Sequence, residues 1–195
     1  MAVGTKERIL SASGELFRRQ GYEGTGLKQI VTAANVPFGS LYHFFPGGKE
    51  QLGAQAIRVS GGQFGQLGNA ILDASPDIVS GVRNLFSGAA RAIEASDYAD
   101  ACPIATVALE VSSSSEPMRQ AAAEVFEGWF TDVQHRLATA GINPDRAREL
   151  AVAILSLLEG AFIFSRATRS AQPVEIAGAA AVQMIELELR ELSKR

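Results

Sequence analysis

The chain offers little for covalent or metal chemistry. Its 195 residues contain two histidines, His43 and His135, and one cysteine, Cys102. None of them falls at a metal-ligand spacing. A lone cysteine forms neither an intramolecular disulfide nor a cysteine-rich metal site. Cys102 precedes Pro103 at a helix start, where a thiolate would be stabilised and a redox role is open to it; the alternative is a small residue suited to burial. Tyr42 and His43 are adjacent, but no acidic partner stands beside them, so they read as contact residues and not as a catalytic pair. The one Gly-Lys pair, Gly48-Lys49, is followed by Glu50, which rules out a P-loop, and no G-x-S-x-G elbow is present. These absences predict a protein that is not an enzyme and needs no cofactor or metal.

What remains is contact chemistry concentrated between positions 25 and 49: Thr25, Lys28, Phe38, Gly39, Ser40, Tyr42, His43 and Lys49. Helical spacing must position them. A first helix is predicted to start at Thr5 as N-cap, to turn Ile9, Ala12, Leu16 and Phe17 to one face, and to stop at Gly21. A second runs from about Leu27 to Ala34 with Ile30 and Ala33 inward. Asn35 accepts positive φ and suits a tight inter-helix turn. Val36 plugs that turn, and Pro37 opens a third helix to about Phe44. Pro46-Gly47-Gly48 ends it. Two short helices meeting at a tight turn, buttressed by another, form a helix-turn-helix. Its second helix would enter a major groove of double-stranded DNA, with Phe38, Gly39, Ser40, Tyr42 and His43 outward and Leu41 inward.

This stretch resembles the TetR family of transcriptional regulators. The resemblance rests on Thr25, Leu27 and Ile30, then Ala34-Asn35-Val36, then Leu41-Tyr42-His43-Phe44-Phe45 and Pro46-Gly47-Gly48-Lys49-Glu50-Gln51-Leu52. The Pro-Gly-Gly-Lys-Glu-Gln-Leu run, with Cys102-Pro103-Ile104-Ala105 further on, is similar to the LmrA/YxaF-like subgroup. The resemblance implies phosphate contacts at Thr25, Tyr42 and Lys49, the last at a helix start that favours a phosphate. It implies base-edge contacts at Phe38, Gly39 and Ser40, where Phe38 can touch a thymine methyl. Four positions depart from the family pattern: Phe38 for lysine or serine, Phe44 for histidine or tyrosine, Asn35 for the turn glycine, and Gly26 for a capping serine or threonine.

The rest of the chain reads as further helices. Lys49 to about Leu72 contains Gly61, Gly62, Gly65 and Gly68, and each mid-helix glycine costs about 0.5–1 kcal/mol relative to alanine. A bend or break near Gly61-Gly62 is expected. Helices follow at about Asp77–Ala95, Ile104–Ser112, Pro117–Ala140, Asn143–Thr168 and Pro173–Ser193. The Asn143 helix is apolar nearly all round and must be covered on more than one side. The last one carries a smooth face of Ala177, Ala180, Ala181, Met184 and Ile185. Phe64, Phe86, Phe126, Trp129, Phe130 and Phe162 are either plain core or the lining of a small-molecule pocket.

The expected architecture is therefore all-α. Residues 1–48 form a helix-turn-helix DNA-binding domain, and residues 49–195 a helical ligand-binding and dimerisation domain. Charge agrees with this division. Net charge is −3, yet residues 1–50 hold six basic against four acidic side chains, a mildly basic head on an acidic body. No apolar run is uninterrupted enough for a membrane span, since Glu149, Ser156 and Glu159 break the longest, and Lys6, Glu7 and Arg8 stand where a signal peptide needs an apolar core. A cytoplasmic location without membrane attachment is expected. The resemblance further implies a homodimeric repressor released from operator DNA by a small apolar or aromatic effector.

Overall fold

The computed structural model describes residues 4–100 and 102–192. Among these the protein is all-α, with nine helices and no strand: α1 Thr5–Gln20, α2 Leu27–Ala33, α3 Phe38–Phe44, α4 Gly48–Asp73, α5 Ile78–Ala95, α6 Ala105–Val111, α7 Glu116–Thr139, α8 Pro144–Thr168 and α9 Gln172–Leu192. The expected end of the last helix at Ser193 lies outside the described residues. The helices fall into two compact units. The first comprises the chain up to Phe64 together with Cys102–Phe126; the second comprises Gly65 to residue 100 and the chain from Glu127 onward.

In the first unit α1 buries Ile9, Leu10, Ser13 and Phe17. Gly4 occupies the N-cap and Thr5 is already helical, so the cap falls one residue earlier than the sequence pattern places it. Gly21, at φ 77°, stops the helix while its N–H donates to the carbonyl of Phe17 at 2.9 Å. Helix α2 turns Ile30 and Val31 inward, and Ala34 just beyond it is buried. Ala33, expected inward, is exposed, because a seven-residue helix offers one buried stripe and the Ile30–Val31–Ala34 set takes it. Asn35 adopts φ 52°, and the Val36 N–H reaches back to the carbonyl of Val31 at 3.0 Å. Pro37 sits at the cap of α3 and not inside it. Helices of seven residues do not persist alone in water. Here Leu41, Phe45 and Leu52, all fully buried, supply the core that holds them.

Helix α4 is continuous over 26 residues; it does not break at Gly61-Gly62. The reason is packing. A Cβ on Gly53 would lie 2.7 Å from Met118 Cε, and one on Gly61 would collide with Val125 Cγ1. In the second unit, a Cβ on Gly65 would lie 2.7 Å from Trp129 Nε1. Gly53, Gly61 and Gly65 share one face of α4 at multiples of four residues, so the large side chains of α7 fill the space their missing side chains leave. The conformational cost of glycine is offset by this close approach.

The second unit is built on α5, α8 and α9, which pack on one another. Asp77 caps α5 by accepting from the Ser80 N–H at 2.7 Å. Asn143 caps α8, accepting from Asp145 at 3.0 Å, with Pro144 at the first helical position. The small-residue face of α9 packs inside the chain: Ala177, Gly178 and Ala181 are buried, and a Cβ on Gly178 would lie 2.6 Å from Phe86 Cβ. By length and composition α8 is apolar enough to cross a membrane, so its polar interruptions do not exclude it on that criterion as expected. One side of it buries Leu150, Ile154, Leu158 and Phe162. The opposite side leaves Ile163 and Phe164 exposed.

Candidate nucleic-acid interface

Helix α3 buries one side chain, Leu41, and presents Phe38, Gly39, Tyr42 and His43 to solvent, with Ser40 half-buried. Phe38 and Tyr42 stand one turn apart and meet edge to face, their centroids 5.8 Å apart at 62°. A Cβ on Gly39 would meet nothing within 4 Å, so the backbone there is open to close approach. His43 leans edge-on against Phe44 at 4.8 Å. The turn that aims α3 is held from α1: the Arg8 guanidinium donates to the carbonyl of Asn35 at 3.4 Å.

The cations flank this helix. Lys28 is exposed on α2. Lys49, in the first turn of α4, places its ammonium 4.1 Å from the centroid of Tyr22, a favourable cation–π distance. Tyr22 in turn packs on Phe17 at 5.4 Å. Burial, followed by the nearby Glu23 and Glu50 carboxylates, pushes the Tyr22 hydroxyl above its ordinary pKa, so the ring beneath Lys49 remains a neutral phenol. Thr25 is placed differently from the surface position that a phosphate contact implies. It is fully buried, and its hydroxyl donates to the carbonyl of Gly21 at 2.7 Å. Its role in the structure is to close the turn between α1 and α2. At the start of α2, the Gly26 N–H donates to Gln29 Oε1 at 2.8 Å, which replaces the missing side-chain cap.

Three residues of this site are silent in the sequence pattern. Arg8 and Tyr22 act through contacts with residues 27 positions away in each case. Glu110, on α6, accepts from the Glu23 N–H at 2.8 Å and crowds Gly21, whose positive φ a larger residue would not tolerate. An aromatic directly after a helix-stopping glycine is the one local signal that could have drawn attention to Tyr22, and Glu110 carries none.

A family profile described as "Bacterial regulatory proteins, tetR family" matches residues 9–56. A second, "Transcriptional regulator LmrA/YxaF-like, C-terminal domain", matches residues 79–180. The HTH-type transcriptional regulator LmrA of Bacillus subtilis is 32% identical over 170 residues, covering 87% of this chain and 90% of LmrA. The chain belongs to the TetR family. It is a DNA-binding transcriptional regulator of the LmrA/YxaF-like type. Solved structures share the fold. A TetR regulator from Legionella pneumophila superposes with a TM-score of 0.82 at 24% identity, covering 93% of this chain and 97% of that one. The TetR-family regulator CifR, solved with 26-base-pair double-strand operator DNA, gives 0.77 at 23% identity, covering 94% and 97%.

The aromatics read from the sequence as pocket lining are divided between the two units of this TetR-family chain. Phe64 and Phe126 belong to the first unit and are half-buried; Phe86, Trp129, Phe130 and Phe162 belong to the second. Trp129 fills the space at Gly65, and Phe130 carries the Arg148 guanidinium 5.0 Å from its centroid. Phe86 lies on the floor of an open groove of about 570 Å³ between α5 and α9, with Arg83, Arg91, Glu94 and Glu175 along it. A second open groove, of about 790 Å³, runs beside His135, Arg136 and Ile78 and includes none of the six.

Proposed function

We propose that this regulator is a homodimeric repressor whose α3 enters the major groove of operator DNA and which a small apolar or aromatic effector releases. The observation that carries the DNA contact is the face of α3 itself: five neighbouring outward or half-outward residues, open backbone at Gly39, and Lys28 and Lys49 on flanking helices to meet phosphates. Residues 1–48 serve as the head, and residues 49–195 as the sensing and dimerising body. Phe38, Gly39 and Ser40 approach bases, while Lys28, Tyr42, His43 and Lys49 contact the backbone. Thr25 supports them by closing the turn. The protein acts in the cytoplasm as a regulator and not as an enzyme.

The exposed apolar side chains of α8 and α9 support the dimer. Ile163, Phe164, Ile176 and Leu187 stay largely in water in the single chain, and two copies of this helix pair bury them as a four-helix bundle across a two-fold axis. Two heads must then stand roughly 34–36 Å apart, or a multiple of that, to reach successive half-sites. A continuous α4, wedged against α7 by its glycines, moves as one lever; an effector that shifts it spoils this spacing. Effector contact draws on Phe64, Phe86, Phe126, Trp129, Phe130 and Phe162.

Binding of the full-length protein to duplex DNA, followed by fluorescence anisotropy across a salt series, tests the reading. Affinity falls steeply as salt rises if phosphates carry the binding. Salt-independent binding, or none, overturns it. A thermal-shift screen of small apolar and aromatic compounds tests the effector, because a ligand that binds the folded state raises its melting temperature.

A further inference from the structure

We infer that the Phe38–Tyr42 ring pair is a thymine reader: Phe38 contacts the C5-methyl group of a thymine in each half-site and sets sequence preference there. This rests on the reading of α3 as the helix that enters the major groove. The chemistry of α3 narrows what it can recognise. From Phe38 to Phe44 the helix contains no arginine, lysine, asparagine, glutamine, aspartate or glutamate. The bidentate pairs that distinguish guanine and adenine, and the carboxylate that reads cytosine, are therefore missing from it. Its exposed ends are two aromatic rings, one half-buried hydroxyl and one imidazole. For the Phe38 ring, which offers no donor or acceptor, the distinctive feature of a major-groove base edge is the apolar thymine methyl.

Position and support agree with that target. Phe38 is the first residue of α3, and the N-terminal residues of a recognition helix are those that reach base edges. Phe38 is 43% exposed and Tyr42 49%. The edge-to-face contact at 5.8 Å gives Phe38 a partner that restricts its ring. Gly39 adds no side chain that would hold the helix away from the base edge. A ring left in water in the free protein regains the benefit of burial when it covers a methyl group.

The test removes only that methyl. Full-length protein selects duplexes from a randomised pool, and each thymine of the selected duplex is then replaced by deoxyuridine. At one symmetric position, uracil lowers wild-type affinity about fourfold for each methyl and about fifteenfold when both half-sites are changed. Phe38→Ala weakens binding to the thymine duplex similarly, is insensitive to uracil at that position, and leaves the salt slope unchanged. Phe38→Leu retains the uracil sensitivity. Because Phe38 is exposed, both variants melt as the wild type does. A flat uracil scan for the wild type, selected half-sites without thymine, or equal uracil sensitivity in Phe38→Ala overturns the inference while DNA binding by the head stands. Selection of no duplex at all overturns the reading of α3 and this inference with it.

Discussion

The apolar surface left in water on α3 and that on α8 and α9 differ in what surrounds them. On α3 the apolar surface is one pair of rings, Phe38 and Tyr42, set beside His43 with Lys28 and Lys49 on the neighbouring helices. On α8 and α9 it is Ile163, Phe164, Ile176 and Leu187, each more than half exposed, spread along two helices of 25 and 21 residues. The first face suits a polyanion that also offers small apolar groups. The second suits another apolar helix pair, and in a homodimer the matching surface is its own copy. Exposure alone therefore does not identify a partner; the neighbouring charges and the length of the supporting helices do. Salt should separate the two faces, weakening the first contact strongly and the second little.

The largest effect is expected at the second face. Phe164→Asp combined with Ile176→Asp should convert the dimer to a monomer in sedimentation at micromolar concentration. Operator affinity should then fall on the order of 100-fold or more, because linked half-sites gain from effective concentration. Both side chains are exposed in the single chain, so its melting should change little apart from the lost association. A variant that remains dimeric would move the interface off α8 and α9.

The frame beneath both faces is tested next. Gly61→Ala places a methyl group against Val125, and overpacking of this kind costs about 1–3 kcal/mol. Chemical denaturation should show that loss with an unchanged slope. An unchanged midpoint would mean that α4 and α7 have room to separate. At the first face, Lys49→Ala should weaken operator binding about tenfold at low salt and reduce the logarithmic salt slope by about 1, the signature of one lost phosphate contact. An unchanged slope would leave Lys49 as a partner of Tyr22 only.

Helix number, class and most boundaries were legible in the sequence because local signals mark them: Gly21 and Asn35 at turns, Asp77 and Asn143 at caps, and a proline at the start of α8. The outward set on α3 was legible too, since a short helix with one buried leucine leaves few choices. What was not legible depends on contacts between distant positions. The glycines of α4 looked like weak points because their cost is local, whereas Met118, Val125 and Trp129, which fill the space they leave, lie on another helix. The family resemblance implied a phosphate contact at Thr25; the Gly21 carbonyl that takes its hydroxyl is a feature of the folded turn. Glu110 sits 87 residues from the amide it binds, beyond any spacing rule. The small face of α9 pointed correctly to close packing, but sequence alone does not say whether the neighbour is α5 and α8 or another chain.

The smallest effect is the most discriminating for the comparison. Gly62 is adjacent to Gly61 but exposed, and a Cβ there would meet nothing within 4 Å. Gly62→Ala should therefore gain the helix-propensity difference alone, about 0.5–1 kcal/mol, seen as a modest rise in melting temperature. It touches neither α3 nor the α8–α9 face, so operator affinity and dimerisation should both stay at the wild-type level. If stability rises and operator affinity falls, α4 must bend or unwind near Gly61-Gly62 when DNA is bound. The chemistry of the two faces would then not suffice to explain binding, because part of the affinity would come from a helix that the free protein keeps straight. If affinity holds, α4 is a rigid connector, and the difference between the faces accounts for which partner each one takes.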